Sequence, residues 1–195
     1  GTGDAPAKAG CSIADIAAGM YALSNILGAL LLRDRTGRGC RIDVSMLESM
    51  VEWMSYPLYY AFDGADAPPR TGAEHATIYP YGPFSTGDGK VVMLGIQNDR
   101  EWVTFCARVL DQPGLAREAR FASNTARSVH RDELRAIVAA AFAPLTARQV
   151  VERLESARIA NARVNDMHEV WAHPQLAARR RWVDVGSPAG DIPAL

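Results

Sequence analysis

The sequence predicts an α/β fold in two parts, a helical N-terminal segment with one strand and a small α+β domain behind a linker. Three observations predict it: an apolar helical repeat over residues 13–34, an alternating stretch over 41–46, and two apolar runs around a Gly-Asp-Gly turn over 81–96. The 195 residues are 48% apolar, which is enough to bury a substantial core.

Charge and cysteine content narrow the function classes. The 21 Lys+Arg and 22 Asp+Glu residues give a formal net charge of -1, so no overall field favours nucleic acid or anionic lipid, and small ligands are expected. Cys11, Cys40 and Cys106 form no CxxC pair, which indicates neither a disulfide framework nor a zinc site and favours a cytoplasmic location. The N-terminus lacks an initiator Met and the regions of a signal peptide, so we expect the chain to begin inside a longer protein.

The first predicted element is a helix over residues 13–34. Its apolar side chains recur every three or four positions, as one helix face requires: Ile13, Ile16, Met20, Leu23, Leu27 and Leu30. No charge occurs between Ile16 and Leu32, so this stretch approaches the ~20 residues of a membrane span. A serine, an asparagine and two glycines inside it favour a buried helix of a soluble protein, which the TGRG sequence of 36–39 is expected to end.

The next segments predict a strand, a helix and a linker. Residues 41–46 (RIDVSM) alternate apolar and polar side chains, as a half-buried strand does. The sequence LESMVEWMSY returns to helical spacing, which Pro57 is expected to stop. Residues 63–80 are rich in Gly, Pro and Ala without a period, so the predicted division is 1–62, a linker at 63–80, and a second domain at 81–195.

The second domain is predicted to begin with a hairpin over 81–96, followed by a helix over 98–110. Its cap is expected at Asn98 or Asp99. The side chains expected to point inward are Trp102, Phe105, Cys106, Val109 and Leu110. The remaining predictions for this domain are helices at 130–142 and 146–157, the latter opening on the capping-box spacing of Thr146 and Gln149, and a mostly helical chain after residue 128.

Asp15 stands at the start of the long helix, and its spacing leaves two interpretations open. Ser12 and Asp15 form the S-x-x-D pattern of a capping box, in which the carboxylate closes unpaired backbone amides. The same position lies at the positive end of the helix dipole, worth ~0.3–1 kcal/mol to the ionised form. Since its neighbours are alanines and Gly19, the carboxylate is also a candidate nucleophile.

Several segments, in order along nearly the whole chain, resemble one known family. They are GCSIADIAAG (10–19), ALLLRDRTGRG (29–39), RIDVSMLESM (41–50), GAEHATIYPYGPF (72–84), DGKV (88–91), RFASNTAR (120–127) and ARVNDMHEV (162–170). Their order and spacing are similar to those of the family III CoA-transferases, the group of formyl-CoA transferase and carnitine CoA-transferase. The resemblance implies part of that fold: an incomplete Rossmann-like segment of the large domain at 1–62, and a small α+β domain whose final residues return toward the large domain.

The resemblance also implies an activity. The family's aspartate at this helix start is the catalytic nucleophile, which falls on Asp15. CoA would pass between an acyl-CoA and a free acid through an aspartyl mixed anhydride and an aspartyl-CoA thioester, with the CoA thioester as substrate and no permanently bound cofactor. The chain looks most like the branch that moves CoA among small dicarboxylates such as succinate, citramalate, mesaconate or itaconate.

A loop that closes over the aspartate is a further implication of the resemblance. In the family this loop is rich in glycine, whereas the matching residues 70–82 lack a run of glycines. Gly72, His75 and Tyr81 are therefore the candidates for loop closure. His75 is expected either to orient the acceptor carboxylate or to be merely solvated.

Two alternatives stay open. The same superfamily contains α-methylacyl-CoA racemases, which use a glutamate where Asn98 stands here. The asparagine favours CoA transfer over racemization and makes Asn98 a candidate substrate contact. Asp99 or Glu101, close to this position in the sequence, keeps the racemase possible. Family members are longer and form interlocked homodimers, so this chain is alternatively an inactive domain or a subunit that needs a missing half. No metal, nucleic-acid or membrane partner is predicted, since the chain has no clustered metal ligands.

Overall fold

The computed structural model describes residues 5–194, which form two compact units divided between Thr77 and Ile78. The division lies inside the predicted linker of 63–80. Helices and small antiparallel sheets make up the chain, in agreement with a mixed α/β fold. The assignment of the two units to parts of a large and a small domain stays a prediction.

The first unit is built from helices and has no strand in its described part. Its elements are α1 (Ile13–Thr36), α2 (Met46–Met54), α3 (Tyr56–Tyr60) and a 3-10 turn (Phe62–Gly64). α1 ends as the TGRG sequence predicts: Gly37 has a φ of 69°, and its amide donates to the Arg33 carbonyl at 2.8 Å. The predicted helix is therefore confirmed, and it runs two residues beyond the expected 34.

Two predictions about secondary structure in this unit are wrong. Residues 41–45 are irregular rather than a strand, because Ser45 serves as the N-cap of α2 and its hydroxyl accepts from the Glu48 amide at 3.3 Å. Pro57 does not stop the helix. The break lies at Ser55, whose φ is 46°, and Pro57 sits in the first turn of α3, where its missing N–H leaves no helical bond unmade.

The apolar helix α1 is not buried within its unit, which contradicts the expectation. Ala17 is its one buried residue, and side chains such as Leu23 (60%) and Leu31 (65%) are largely exposed. The helix packs against α2, which has only 9 residues and cannot cover a helix of 24. With a mean hydropathy of 1.5, α1 is long and apolar enough to cross a bilayer, a property that it shares with core helices of soluble proteins.

The second unit contains a three-stranded antiparallel sheet in the order β1-β2-β3. β1 (Tyr81–Ser85) and β2 (Val91–Gly95) form the predicted hairpin, with Phe84 opposite Val92. Its turn closes by a bond from the Thr86 amide to the Lys90 carbonyl at 2.9 Å. β3 (Ala160–Arg163) pairs with β2 and was not predicted, because its sequence ANAR has neither the alternation nor the β-branched residues typical of a strand.

Helices pack on this sheet and enclose the main core. The further elements are α4 (Asp99–Arg108), a 3-10 turn (Pro113–Arg117), α5 (Asn124–Val129), α6 (Arg131–Phe142), α7 (Ala147–Ser156), α8 (Met167–Trp171), α9 (Pro174–Ala178), β4 (Val183–Val185) and β5 (Ile192–Ala194). All five side chains expected to point inward from α4 and the residues after it are buried. The Thr146 capping box is also confirmed, whereas the chain after residue 128 contains three strands and is less helical than expected.

Candidate active site

Asp15 occupies the third position of α1, and its carboxylate is exposed. The capping box predicted from Ser12 and Asp15 does not form, because the Ser12 side chain accepts no hydrogen bond at this helix start. Across residues 5–194 the Asp15 carboxylate takes part in neither a hydrogen bond nor an ion pair. The structure therefore gives Asp15 no local stabilising partner.

The backbone around Asp15 offers hydrogen-bond donors. The Ile13 amide donates to the Cys11 carbonyl at 2.9 Å and the Ile16 amide to the Ser12 carbonyl at 3.0 Å. Within the described chain, the amides of Ala14 and Asp15 have no acceptor. Such unfilled amides at a helix start favour nearby negative charge, both on a carboxylate and on an oxyanion.

Small residues leave space beside this carboxylate. Gly19 lies four residues after Asp15 and so on the same face of α1. A Cβ added at Gly19 would meet no atom within 4 Å, and the same holds for Gly10, which precedes the helix. Local packing therefore does not require glycine at either position. The open helix face is compatible with a ligand that approaches Asp15.

The first unit also has a cavity away from Asp15. It measures about 300 Å³ and lies between α1 and α2, lined by Tyr21, Asn25, Asp43, Val44, Ser45, Glu48, Ser49 and Glu52. Three carboxylates line this cavity, so it repels an anionic ligand. Its electrostatics do not suit a CoA thioester or a dicarboxylate.

His75 is held by defined contacts and is half-buried rather than merely solvated. Its ring stacks on Tyr56, with centroids 5.7 Å apart and an interplanar angle of 9°. The Thr77 amide donates to His75 Nδ1 at 3.2 Å, and Nε2 lies 3.3 Å from the Tyr56 hydroxyl. Because Nδ1 accepts a hydrogen bond, the neutral ring carries its proton on Nε2, directed at Tyr56.

The other loop candidates lie on both sides of the division between the units. Gly72 has a φ of 66°, a left-handed conformation that glycine adopts without strain. Tyr81 opens β1, and its ring lies 3.1 Å from the position of a Cβ built on Gly95. Gly95 is thus needed for the close approach of Tyr81, a requirement that the sequence pattern did not reveal.

Asn98 has a structural task as the N-cap of α4. Its side-chain oxygen accepts from the Glu101 amide at 3.0 Å, and its Nδ2 donates to Glu101 Oε1 at 2.9 Å. Glu101 Oε2 also accepts from the Gln97 amide at 2.8 Å, while Asp99 accepts from Arg127 at 3.2 Å. The two carboxylates that kept a racemase possible are therefore both engaged in hydrogen bonds.

Sequence reasoning missed two residues around these segments. The sequence around Tyr56 gives no sign of a functional role, and only the fold reveals its contact with His75. Arg127 was treated as part of a family motif without a role of its own, yet its side chain is buried. Among the described residues no group of three or more His, Cys, Asp or Glu side chains is placed to hold a metal ion.

The comparison with known families decides the identity of the chain. The model of CoA-transferase family III matches residues 1–195. This chain belongs to CoA-transferase family III. Its match extends over both units, so the two structural units are parts of one family fold rather than unrelated modules.

Curated relatives and solved structures agree with this family. The chain is 33% identical to an acyl-CoA transferase of Fusarium pseudograminearum over 92% of its own length and 39% of that protein. It is 31% identical to succinyl-CoA:mesaconate CoA-transferase of Haloarcula hispanica over 95% of its length and 46% of that protein. A crystal structure of a CaiB/BaiF family protein from Brucella suis is similar with a TM-score of 0.76 and 30% identity, over 97% of this chain and 49% of the other. The CoA-transferase family III chain thus spans less than half the length of these relatives.

Proposed function

We propose that this chain takes part in the transfer of CoA from an acyl-CoA to a free carboxylic acid, with Asp15 as the covalent carrier. The observation that carries the proposal is the exposed Asp15 carboxylate, which has no hydrogen-bond partner in the described chain and stands at a helix start beside open space. Membership in CoA-transferase family III supports a CoA thioester as the substrate. The proposed reaction uses no permanently bound cofactor.

The proposed chemistry conserves the energy of the thioester. The Asp15 carboxylate attacks the thioester carbonyl, which forms a mixed anhydride and expels CoA thiolate. The thiolate attacks the Asp15 carbonyl of the anhydride, giving an aspartyl-CoA thioester and the free donor acid. The acceptor carboxylate then attacks the aspartyl-CoA thioester, which forms a second mixed anhydride and releases CoA thiolate. The thiolate attacks the acceptor carbonyl of this anhydride, which yields the acceptor's CoA thioester and restores the Asp15 carboxylate.

Local donors support the charged intermediates. The unfilled amides of Ala14 and Asp15 lie at the helix start, where developing oxyanions are stabilised. Closure of the loop that contains Gly72, His75 and Tyr81 would exclude water from the reactive anhydride. The stacked pair of His75 and Tyr56 fixes part of that loop, which supports a role for His75 in orienting the acceptor.

A small dicarboxylate is the proposed acceptor. The relatives named for their activity include succinyl-CoA:glutarate CoA-transferase of Homo sapiens, 30% identical over 88% of this chain and 39% of that protein. Succinyl-CoA–D-citramalate CoA-transferase of Chloroflexus aurantiacus is 29% identical over 94% of this chain and 45% of that protein. With succinyl-CoA as the donor, glutarate, mesaconate and citramalate are therefore the first acceptors to test, followed by itaconate.

Racemization of an α-methylacyl-CoA is less well supported. It needs a second acid or base in the loop after β2, where Asn98 caps α4 and Glu101 binds the Gln97 and Asn98 nitrogens. Asp99 is paired with Arg127. None of these groups is poised to exchange a proton with substrate.

The partners and location are part of the proposal as well. The exposed apolar face of α1 supports coverage by further protein, as in an interlocked homodimer. The free cysteines of the described chain support a cytoplasmic location. The non-enzyme alternative, an inactive domain that needs a missing half, predicts no binding of CoA by the 195-residue chain alone.

A transfer assay with two aspartate variants tests the proposal. The full polypeptide in which these residues occur is incubated with succinyl-CoA and each candidate acid, and new acyl-CoA is measured by liquid chromatography and mass spectrometry. Asp15→Ala is expected to reduce transfer to background with an unchanged circular dichroism spectrum. Asp34→Ala removes another exposed carboxylate of the same helix and is expected to retain activity. Transfer by Asp15→Ala at the wild-type rate would contradict the proposal.

A further inference from the structure

The segment RFASNTAR (120–127) is one of those that resemble the family, but none of its residues has a role in the proposed reaction. Its last residue, Arg127, lies on α5 and is only 1% exposed. A buried arginine is rare, because removing its charge from water costs free energy unless the N–H donors of the guanidinium are hydrogen-bonded to acceptors. The partners of Arg127 therefore indicate what the segment does.

The guanidinium binds three separate parts of the second unit. Its Nε donates to the Tyr79 carbonyl at 2.9 Å, and its Nη1 donates to the Phe121 carbonyl at 3.1 Å. Its Nη2 donates to Asp99 Oδ1 at 3.2 Å, and the Arg127 Cζ lies 5.0 Å from the centroid of the Trp102 ring. One planar side chain thus joins the end of the linker, the segment before α5 and the first turn of α4.

A second residue of the same segment binds the same point of the linker. The Asn124 side-chain oxygen accepts from the Tyr79 amide at 3.1 Å, so both backbone groups of Tyr79 are bound by α5. Tyr79 itself is fully buried and is the second residue after the division between the units. The connecting chain therefore becomes fixed to the second unit at Tyr79.

The chemistry of the contact requires arginine. Burial lowers the pKa of Arg127 while the hydrogen bond with Asp99 raises it, and a guanidinium remains charged in such surroundings. Three acceptors in different directions match its rigid fork. A lysine ammonium keeps the charge but has a single nitrogen, so it cannot reach the three acceptors at once.

We propose that Arg127 is a positioning residue for CoA transfer: it holds the linker end at Tyr79 and the first turn of α4 at Asp99 in one arrangement. Tyr79 lies two residues before the loop-closure candidate Tyr81 and four residues after His75, while Asp99 directly follows Asn98. Arg127 thus connects the two candidate substrate segments of the chain without touching substrate. This inference rests on the proposed function.

Arg127→Lys in the full polypeptide tests this role, with Arg148→Lys as the matched control, since Arg148 lies on α7 with 85% of its side chain exposed. Arg127→Lys is expected to lower kcat on the order of 10²-fold with little change in KM for the acyl-CoA. Hydrogen exchange of the Tyr79 amide is expected to accelerate on the order of tenfold. The control is expected to change neither quantity.

The outcomes separate this role from the proposed function. An active wild type together with an Arg127→Lys variant of unchanged kcat overturns the positioning role alone, whereas a wild type without any transfer overturns the proposed function. If Arg127→Lys does not fold, Asp99→Ala decides, because it removes the oxygen that accepts from Arg127, and the Asp99 side chain is 71% exposed. A lowered kcat at unchanged melting temperature then supports the role, and an unchanged kcat overturns it.

Discussion

At the scale of single residues, Asp15 differs from an ordinary acid at a helix start, because within residues 5–194 its carboxylate accepts no hydrogen bond from the backbone amides there. A capping acid closes backbone amides, yet the amides of Ala14 and Asp15 have no acceptor within residues 5–194. The sequence pattern alone could not distinguish the two interpretations, because both need an acid at the same position. The geometry of Ser12, whose side chain caps nothing, is what removes the structural explanation.

Gly19→Ala tests whether the open face of α1 serves a ligand. The added methyl group meets no atom within 4 Å, and alanine is the better helix former, so the free energy of unfolding is expected to rise by ~0.5–1 kcal/mol. CoA transfer is expected to fall, because the methyl group occupies space beside Asp15. Gly28→Ala, at another open position of the same helix, is the control and is expected to stabilise without loss of activity. Full activity of Gly19→Ala would show that the open space beside Asp15 is not used by a ligand.

At the scale of elements, short polar contacts fix where helices and turns begin. Asp88 in the β1–β2 turn accepts from the Thr86 hydroxyl at 2.6 Å and from the Ala147 amide, the first of α7, at 3.1 Å. The bond from Thr86 is the largest cause that holds the pKa of Asp88 below its usual value, and backbone bonds from Ala147 and Lys90 add to it. The DGKV sequence thus connects the hairpin to a helix that follows it far along the chain.

This contact predicts a pH dependence with a definite sign. Because the folded pKa of Asp88 is lowered, its stabilising contribution is complete above the unfolded value of ~3.9 and is lost as the pH falls through the folded value. Asp88→Asn is expected to lose less stability on acidification than the wild type, measured as melting temperature from neutral pH to below ~3. Asp132→Asn, at an exposed acid of α6, is the control. Parallel pH curves for wild type and Asp88→Asn would contradict this prediction.

Elements with strong local signals were predictable, and those fixed by pairing were not. Thr146 with Gln149, Asn98 at α4 and the Gly37 helix end all follow from side-chain chemistry within a few residues. Residues 41–45 alternate like a strand but pair with no strand within residues 5–194, so the capping serine Ser45 decides their conformation. β3 is the reverse case, since its pairing with β2 overrides a weak sequence.

The candidate site was predictable only in part for the same reason. Asp15 was found through its position in a motif, whereas the contacts of His75 with Tyr56 and of Arg127 with Tyr79 join residues far apart in sequence. No local pattern encodes such contacts. They require the fold.

At the scale of the whole molecule, the two units differ in how much they bury. Of the described residues before Ile78 only Ala17 and Ser49 are buried, whereas the second unit contains the hydrophobic core. Hydrophobic burial is the main stabilising contribution in folding. The second unit therefore provides most of the stability of the 195-residue chain.

Limited proteolysis tests this difference. A nonspecific protease at low ratio is expected to cut residues 5–77 first and to leave a resistant fragment that begins near Ile78, because local opening is easiest where few side chains are buried. Cleavage sites are read by mass spectrometry. A second sample with Trp102→Ala, which removes a fully buried ring and is expected to cost ~3–5 kcal/mol, should lose the resistant fragment. Equal resistance of both units in the wild type would contradict the prediction.

The central claim is that Asp15 forms a covalent intermediate, and trapping tests it most directly. The full polypeptide is incubated with succinyl-CoA, treated with hydroxylamine, and the peptide that contains Asp15 is examined by mass spectrometry, with Asp34 as the internal control on the same helix. The account predicts a hydroxamate on Asp15 and none on Asp34. An unmodified Asp15 in protein that is shown to bind CoA would contradict the account and return Asp15 to a role in proton transfer or structure.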